Sequence, residues 1–255
     1  MLKTTSTEII DALGELNIPP NRVVVVHSSL LKFGLIEGGA QGIYNCISRA
    51  LGPDATIAMP AFTFSFGISR VWDAKSTPSE MGALTEYFRK NIATARSIHP
   101  FHSICAVGPR ADEITSGLCA SSFGEQSAFQ MLYDHDALNL SIGTEFIGGA
   151  TFLHIGEEQV GVPYRFMKPF PGEVRDFNGQ IVDTTFEMYC REITETHEYD
   201  NVWEGCWEDL NRKNLFATTQ FKGAMLALSN IQQTLETFKG FLKADPYYCA
   251  KMIQK

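Results

Sequence analysis

The segment Thr151-Phe-Leu-His154-Ile-Gly-Glu157 carries the sharpest chemical pairing in the sequence. Residues three apart on a helix share a face, so the Glu157 carboxylate can orient the His154 imidazole or stabilise its charged form, as a general base needs. The same spacing also suits an ordinary surface pair or two metal ligands, but H-E-x-x-H is missing and no third or fourth ligand is evident. His27 closes the run Val23-Val24-Val25-Val26 and leads into Ser28-Ser29. That puts polar side chains and backbone N–H donors where open α/β sheets bind ligands, although a histidine that merely ends a strand would look the same. In Ser97-Ile-His99-Pro100-Phe-His102-Ser103-Ile-Cys105 the three-residue steps invite a metal, yet Pro100 prevents a continuous helix and Cys105 falls on a predicted buried strand. A ligand-binding loop rich in hydroxyl and imidazole groups is the better reading.

Other chemistries lose their signatures. There is no G-x-x-x-x-G-K-[ST], and Gly34 to Gly42 does not follow the G-x-G-x-x-G spacing, so ATP and NAD sites of those types are not expected. The G-x-S-x-G elbow of serine hydrolases is also missing.

The elements that must position these residues alternate. Ile9, Ile10, Leu13 and Leu16 predict a helix over Thr7 to Leu16, then the valine run predicts a buried strand. Ile43 to Leu51 predicts a helix stopped by Gly52-Pro53-Asp54, and Thr56 to Met59 a second strand. Ser79 to Asn91 reads as helix, Ile104 to Val107 and Ala137 to Ile142 as strands, and Gly143 to Gly149 as a glycine-rich turn. Thr151 is placed to cap the short helix carrying His154 and Glu157. Asn178-Gly179 predicts a β-hairpin within Glu173 to Phe186, and Lys222 to Leu242 a long amphipathic helix. Alternation with a hairpin implies a mixed α/β sheet in one domain, since no linker or repeat divides the 255 residues.

With 21 Lys+Arg against 29 Asp+Glu, the net charge is −8, which disfavours nucleic acid. No run of 18 apolar residues exists and the opening residues lack the apolar stretch of a secretory leader, so neither a membrane span nor export is expected and the expected location is cytoplasmic. Six scattered cysteines without C-x-x-C read as reduced thiols.

Taken together, four blocks resemble the aminoglycoside 3-N-acetyltransferase family: Val-Val-His27-Ser28-Ser29-Leu30 with Phe33-Gly34; Ala58-Met-Pro-Ala-Phe62-Thr63; Arg96-Ser97-Ile-His99-Pro100 through Ser103 to Gly108; and Thr151 to Glu157. They span about the first two-thirds of the chain. The resemblance implies an α/β domain over residues 1–255, with a mixed central sheet flanked by helices, unlike the common GNAT acetyltransferases. The GNAT phosphate loop [QR]-x-x-G-x-[GA] fails here, because Arg49-Ala-Leu-Gly-Pro-Asp54 ends on Asp54. The implied co-substrate is acyl-CoA, either acetyl-CoA or another short acyl-CoA, with no metal. By position, His27, Ser28, Ser29 and Leu30 would meet CoA, with Ser97, His99 and Ser103 lining the same cleft; Phe62, Thr63 and Glu145 would face the acceptor. His154 would be the base and Glu157 its partner.

A sugar ammonium must lose a proton before its lone pair can attack a thioester, and His154 is the group to take it, with backbone N–H groups near Ser28-Ser29 available for the oxyanion. Direct transfer in a ternary complex follows, without a covalent enzyme intermediate. The segment Gly143 to Ala150 has Glu145 as its only acid and carries Phe146-Ile147. It suits a nucleotide-linked amino-deoxysugar of the kind used for surface polysaccharides somewhat better than a polycationic aminoglycoside antibiotic. Expected partners are the amino-sugar acceptor and acyl-CoA, without nucleic acid or membrane; a homo-oligomer is compatible. Two alternatives stand beside this one: a metal-dependent hydrolase using His99, His102, His154 and Glu157, and a non-catalytic ligand-binding homologue.

Overall fold

The computed structural model describes residues 3–144 and 149–255. At its centre Val23–Ser28 lies between two parallel neighbours, Leu138–Ile142 and Thr56–Pro60, with His27 opposite Ser141 and Val25 opposite Ala58. Antiparallel strands extend this trio on both sides. Ala224–Asn230 and then Phe216–Phe221 follow Leu138–Ile142, while Ile104–Val107 and then Ala95–Arg96 follow Thr56–Pro60. The result is the expected mixed sheet.

The valine run has no polar alternation because both faces of its strand are covered. Val24 and Val26 pack with Ile9, Leu13, Ile43 and Ile47 from helices Ser6–Gly14 and Gly39–Leu51. Val25 faces the other way, into Phe129, Leu153, Leu235 and Phe238 from helices Ala128–Asp134, Leu153–Val160 and Ile231–Ala244. Val24, Val25 and Val26 have no exposed surface. A smaller cluster around Phe66, Trp72, Phe101 and Phe170 underlies the strands Arg165–Phe170 and Phe186–Arg191, which pair antiparallel beside the main sheet. No helix among the described residues is long and apolar enough to cross a membrane.

Several local expectations are corrected. Residues 222–242 are not one helix: Ala224–Asn230 forms a sheet strand, and the helix starts at Ile231, with Asn230 Oδ1 accepting from the Gln233 N–H at 2.9 Å. The apolar Ala224-Met-Leu-Ala-Leu run has helix-forming residues, but sheet burial overrides that preference. The helix expected from Ser79 begins only at Ala83, after Gly82 at φ +109°. Asn178-Gly179 does turn, with Gly179 at φ +77° and Arg175 bridged to Ile181, but Glu173–Arg175 pairs in parallel with Val71–Asp73 and no extended hairpin forms. Thr151 does not cap the His154 helix, since Phe152 takes the cap position and no side chain bonds there.

Candidate active site

Helix Leu153–Val160 packs against helix Ile231–Ala244 through Gly156, where an added Cβ would lie 3.1 Å from atoms of Leu235, Phe238 and Lys239. This close approach sinks Glu157, which has no exposed surface, while the His154 side chain keeps 25% exposure. One turn thus presents an imidazole to solvent and a carboxylate to the interior.

The two groups meet: His154 Nδ1 bonds Glu157 Oε2. Tyr164 donates its hydroxyl to Glu157 Oε1 at 2.7 Å, and the Arg165 guanidinium lies 3.0 Å from Oε2 as an ion-pair partner. Burial alone would raise the Glu157 pKa; His154, Arg165 and Tyr164 outweigh it and hold the group at about 2. An ionised carboxylate only accepts, so Nδ1 of a neutral His154 carries the hydrogen and Nε2 retains the lone pair. Arg165 is fixed in turn, donating to the Tyr189 carbonyl at 3.1 Å and to Asn201 Oδ1 at 3.0 Å. Phe123 and Trp203 flank the His154 ring, with centroids 5.3 and 5.9 Å away.

His154 opens on a cleft of about 660 Å³ that His102, Phe64, Phe123, Arg165, Lys168 and Arg191 also line. Among the described residues lining it none is Asp or Glu, while three are cations. Arg165 answers Glu157, Arg191 lies 2.6 Å from Asp200, and Lys168 sits over the Phe170 ring.

The remaining sequence candidates fall into distinct settings. Phe62 is buried, with its ring centroid 4.8 Å from that of His102. Thr63 is buried and donates to the Pro78 carbonyl at 3.1 Å. Ser28 ends the central strand and Ser29 and Leu30 follow it; all three are half-buried, and the Ser29 N–H is committed to the Ile142 carbonyl at 2.9 Å. His27 is buried next to that strand's end; desolvation lowers its pKa to about 4, and its Nε2 has no partner among the described residues. Ser141 Oγ and Thr144 Oγ1 are buried and likewise without a partner among the described residues. Ser141 and His27 are register partners, so unmet polar atoms gather at the carboxyl ends of two parallel strands, where a ligand can satisfy them.

Ser97 and Ser103 are not brought to an open surface. Ser97 Oγ accepts from the Ile104 N–H at 2.9 Å, and Ser103 Oγ donates to the Ala61 carbonyl at 2.8 Å and accepts from Arg96 Nε at 3.1 Å. Buried Arg96 also donates to the carbonyls of Ala61, Ala74 and Thr77, tying down the loop that carries His99 and His102. Glu145, with Phe146 and Ile147, lies outside the described residues. Among the described residues no three His, Cys, Asp or Glu side chains converge as metal ligands.

Residues 25–243 match the family model of aminoglycoside 3-N-acetyltransferase. The chain belongs to that family. Among curated aminoglycoside 3-N-acetyltransferase relatives, aminoglycoside N(3)-acetyltransferase IV of Salmonella sp is 30% identical over 161 residues, covering 62% of this chain and 60% of that enzyme. The chain therefore aligns with less than two-thirds of that relative's length. Among solved structures of the family, aminoglycoside acetyltransferase AAC(3)-IIb superposes with a TM-score of 0.81 at 19% identity, covering 96% of this chain and 98% of that one. AAC(3)-IVa, as a histidine-to-alanine mutant in complex with apramycin, gives 0.77 at 24% identity, covering 97% and 96%. At these identities the aminoglycoside 3-N-acetyltransferase structures establish a shared fold.

Three residues around the dyad escape a reading by spacing. Tyr164 and Arg165 follow the helix directly after Gly161-Val162-Pro163, which could have marked them as a return onto its buried face. Ser122 has no local signal, because it meets His102 across 20 residues.

Proposed function

We propose that residues 1–255 form a single acyl-CoA-dependent N-acyltransferase domain that moves an acetyl or similar short acyl group from CoA to the amino group of an amino sugar. The observation that carries this reading is the His154 imidazole, bonded through Nδ1 to an ionised, buried Glu157 and open to the cleft. His154 Nε2 takes the proton from the attacking amine, and Glu157 favours the imidazolium that results. The thioester is already activated, so attack is direct. His27, Ser28, Ser29 and Leu30 stand at the carboxyl ends of the parallel strands, the expected place for CoA.

The relatives named above support an aminoglycoside acceptor, and AAC(3)-IVa in complex with apramycin is in keeping with it. A second reading is favoured by Lys168, Arg165 and Arg191 on walls whose described residues include no acid. Cations on these walls suit an amino sugar bearing phosphate, such as a nucleotide-linked amino-deoxysugar, better than a polycation.

Purified protein, acetyl-CoA and a panel of aminoglycosides and nucleotide-linked amino sugars test both. Release of CoA thiol with N-acetylated product is expected; a protein that acetylates neither class overturns the function. Ranking the two classes by kcat/KM decides the acceptor.

A further inference from the structure

We propose that His102 is a second catalytic imidazole, donating its Nε2–H to the thioester carbonyl oxygen as that oxygen becomes negative. This inference rests on the acyltransferase reading above.

Its protonation follows from a closed chain of hydrogen bonds. The His102 backbone N–H donates to His99 Nδ1 at 3.2 Å, so that nitrogen bears a lone pair and the neutral His99 ring carries its hydrogen on Nε2. His99 Nε2 directs this hydrogen toward the Ala120 carbonyl at 3.2 Å and Ser122 Oγ at 3.3 Å. The Ser122 hydroxyl cannot donate back to a nitrogen that holds a hydrogen, and among the described residues the acceptor left for its proton is His102 Nδ1, 2.7 Å away. With the serine proton placed there, His102 accepts at Nδ1, and its neutral ring keeps the hydrogen on Nε2. Burial favours the neutral form of both rings, with His99 lowered to about 4 and His102 well below the ordinary histidine value.

His102 and His154 line the same cleft, and the Phe123 ring contacts both, at 5.1 and 5.3 Å between centroids. One imidazole therefore presents a lone pair and the other a hydrogen: a proton acceptor and a donor that share one phenyl neighbour. The Phe62 and Phe64 rings pack edge-to-face with the His102 ring, with centroids 4.8 and 5.5 Å away, and hold it in place. A donor held in place before charge develops needs no reorganisation as the oxyanion forms. The sequence alternative, a backbone N–H near Ser28-Ser29, is weakened because the Ser29 N–H already serves the sheet.

The step balances as follows. The amine lone pair attacks the thioester carbon, a C–N bond forms, and the carbonyl π pair moves onto oxygen, where the His102 N–H meets it. His154 takes the proton shed by nitrogen. The pair on oxygen then re-forms the C=O bond as the C–S bond breaks with its pair on sulfur, and His154 returns the proton to the thiolate. His102 ends with the hydrogen it began with.

Three variants and one spectrum test this. His102→Phe keeps the ring packing and removes the donor; kcat should fall about 10²–10³-fold, the usual cost of one oxyanion donor, while both KM values stay within about threefold. His102→Gln keeps an N–H and should recover at least about a tenth of wild-type kcat. Ser122→Ala leaves the His102 ring untouched but frees Nδ1, so kcat should drop several-fold and the Nδ1–H tautomer should appear. Nitrogen-15 spectra of histidine-labelled wild-type protein should show His102 protonated on Nε2. An active wild type with His102 protonated on Nδ1, a His102→Phe kcat within about threefold of wild type, or a loss carried by KM alone overturns this step and leaves the function standing. A wild type that transfers no acyl group overturns the function and this step together.

Discussion

His154 holds Nδ1 against Glu157 Oε2, a carboxylate with no exposed surface, so orientation and tautomer are fixed by one bond. The nitrogen left for the cleft is the basic one. Tyr164 and Arg165 hold the carboxylate from its other sides, and the base thereby rests on an anchor assembled from two segments of chain.

Replacing His154 by Ala should lower kcat by about a hundredfold to ten-thousandfold, the range of general-base catalysis, with the acyl-CoA dissociation constant nearly unchanged. Steady-state kinetics beside CoA titration calorimetry checks this. Glu157→Gln should reduce kcat and also unfold more easily, because Arg165 is then left buried without its counter-charge, at a cost of about 3–5 kcal/mol. Urea denaturation reads the second effect.

Stability should fall on mild acidification, before most carboxylates titrate. His27 and His99 are held neutral by burial, with values near 4 against 6.5 in the unfolded chain, and burial lowers His102 well below the ordinary histidine value too. Between pH 6.5 and 4 the unfolded chain therefore binds protons that the folded chain refuses, and each ring costs about 1.4 kcal/mol per pH unit. Glu157 acts in a lower window: its stabilising charge is present above about 4.5 and lost as pH falls toward 2. Urea midpoints at pH 7, 6 and 5 should decline in steps; a flat series contradicts the buried-neutral assignment.

Gly156→Val should destabilise by about 1–3 kcal/mol, the cost of overfilling a packed contact. A Cβ at this position already meets Leu235, Phe238 and Lys239 at 3.1 Å, and two further methyl groups must push the helices apart. Because the dyad sits on this helix, kcat should drop even in protein that stays folded, as an ångström of misplacement can cost about a hundredfold. Melting temperature and kcat measured together distinguish this from plain unfolding.

Lys168→Glu reverses one cleft charge without touching the dyad. It should raise KM for a phosphate-bearing amino sugar and lower it for an aminoglycoside, by several-fold each at low salt, with both effects shrinking as ionic strength rises. Unchanged KM values for both classes would remove Lys168 from acceptor selection.

The parallel centre of the sheet was legible because its strands are short apolar runs bounded by turn residues: Val23 to Val26, Thr56 to Met59, Ala137 to Ile142. His154 and Glu157 were legible because helical spacing alone brings them together. What escaped depends on distance along the chain. Ala224–Asn230 is a strand only because Leu138–Ile142 offers it an edge, and nothing within its own residues distinguishes it from a helix. Ser97 and Ser103 have the types of ligand-binding residues but spend their hydroxyls holding Ile104, Ala61 and Arg96. The tautomer of His102 is set by Ser122, and no local pattern encodes a partner 20 residues away.

Trp203 meets His154 edge-to-face, with ring centroids 5.9 Å apart. An imidazolium beside an indole quenches its emission more than the neutral ring does. The chain therefore carries a built-in fluorophore beside its reactive imidazole, and once Trp72 and Trp207 are replaced by Phe, stopped-flow light from Trp203 can follow proton movement during turnover without any attached dye.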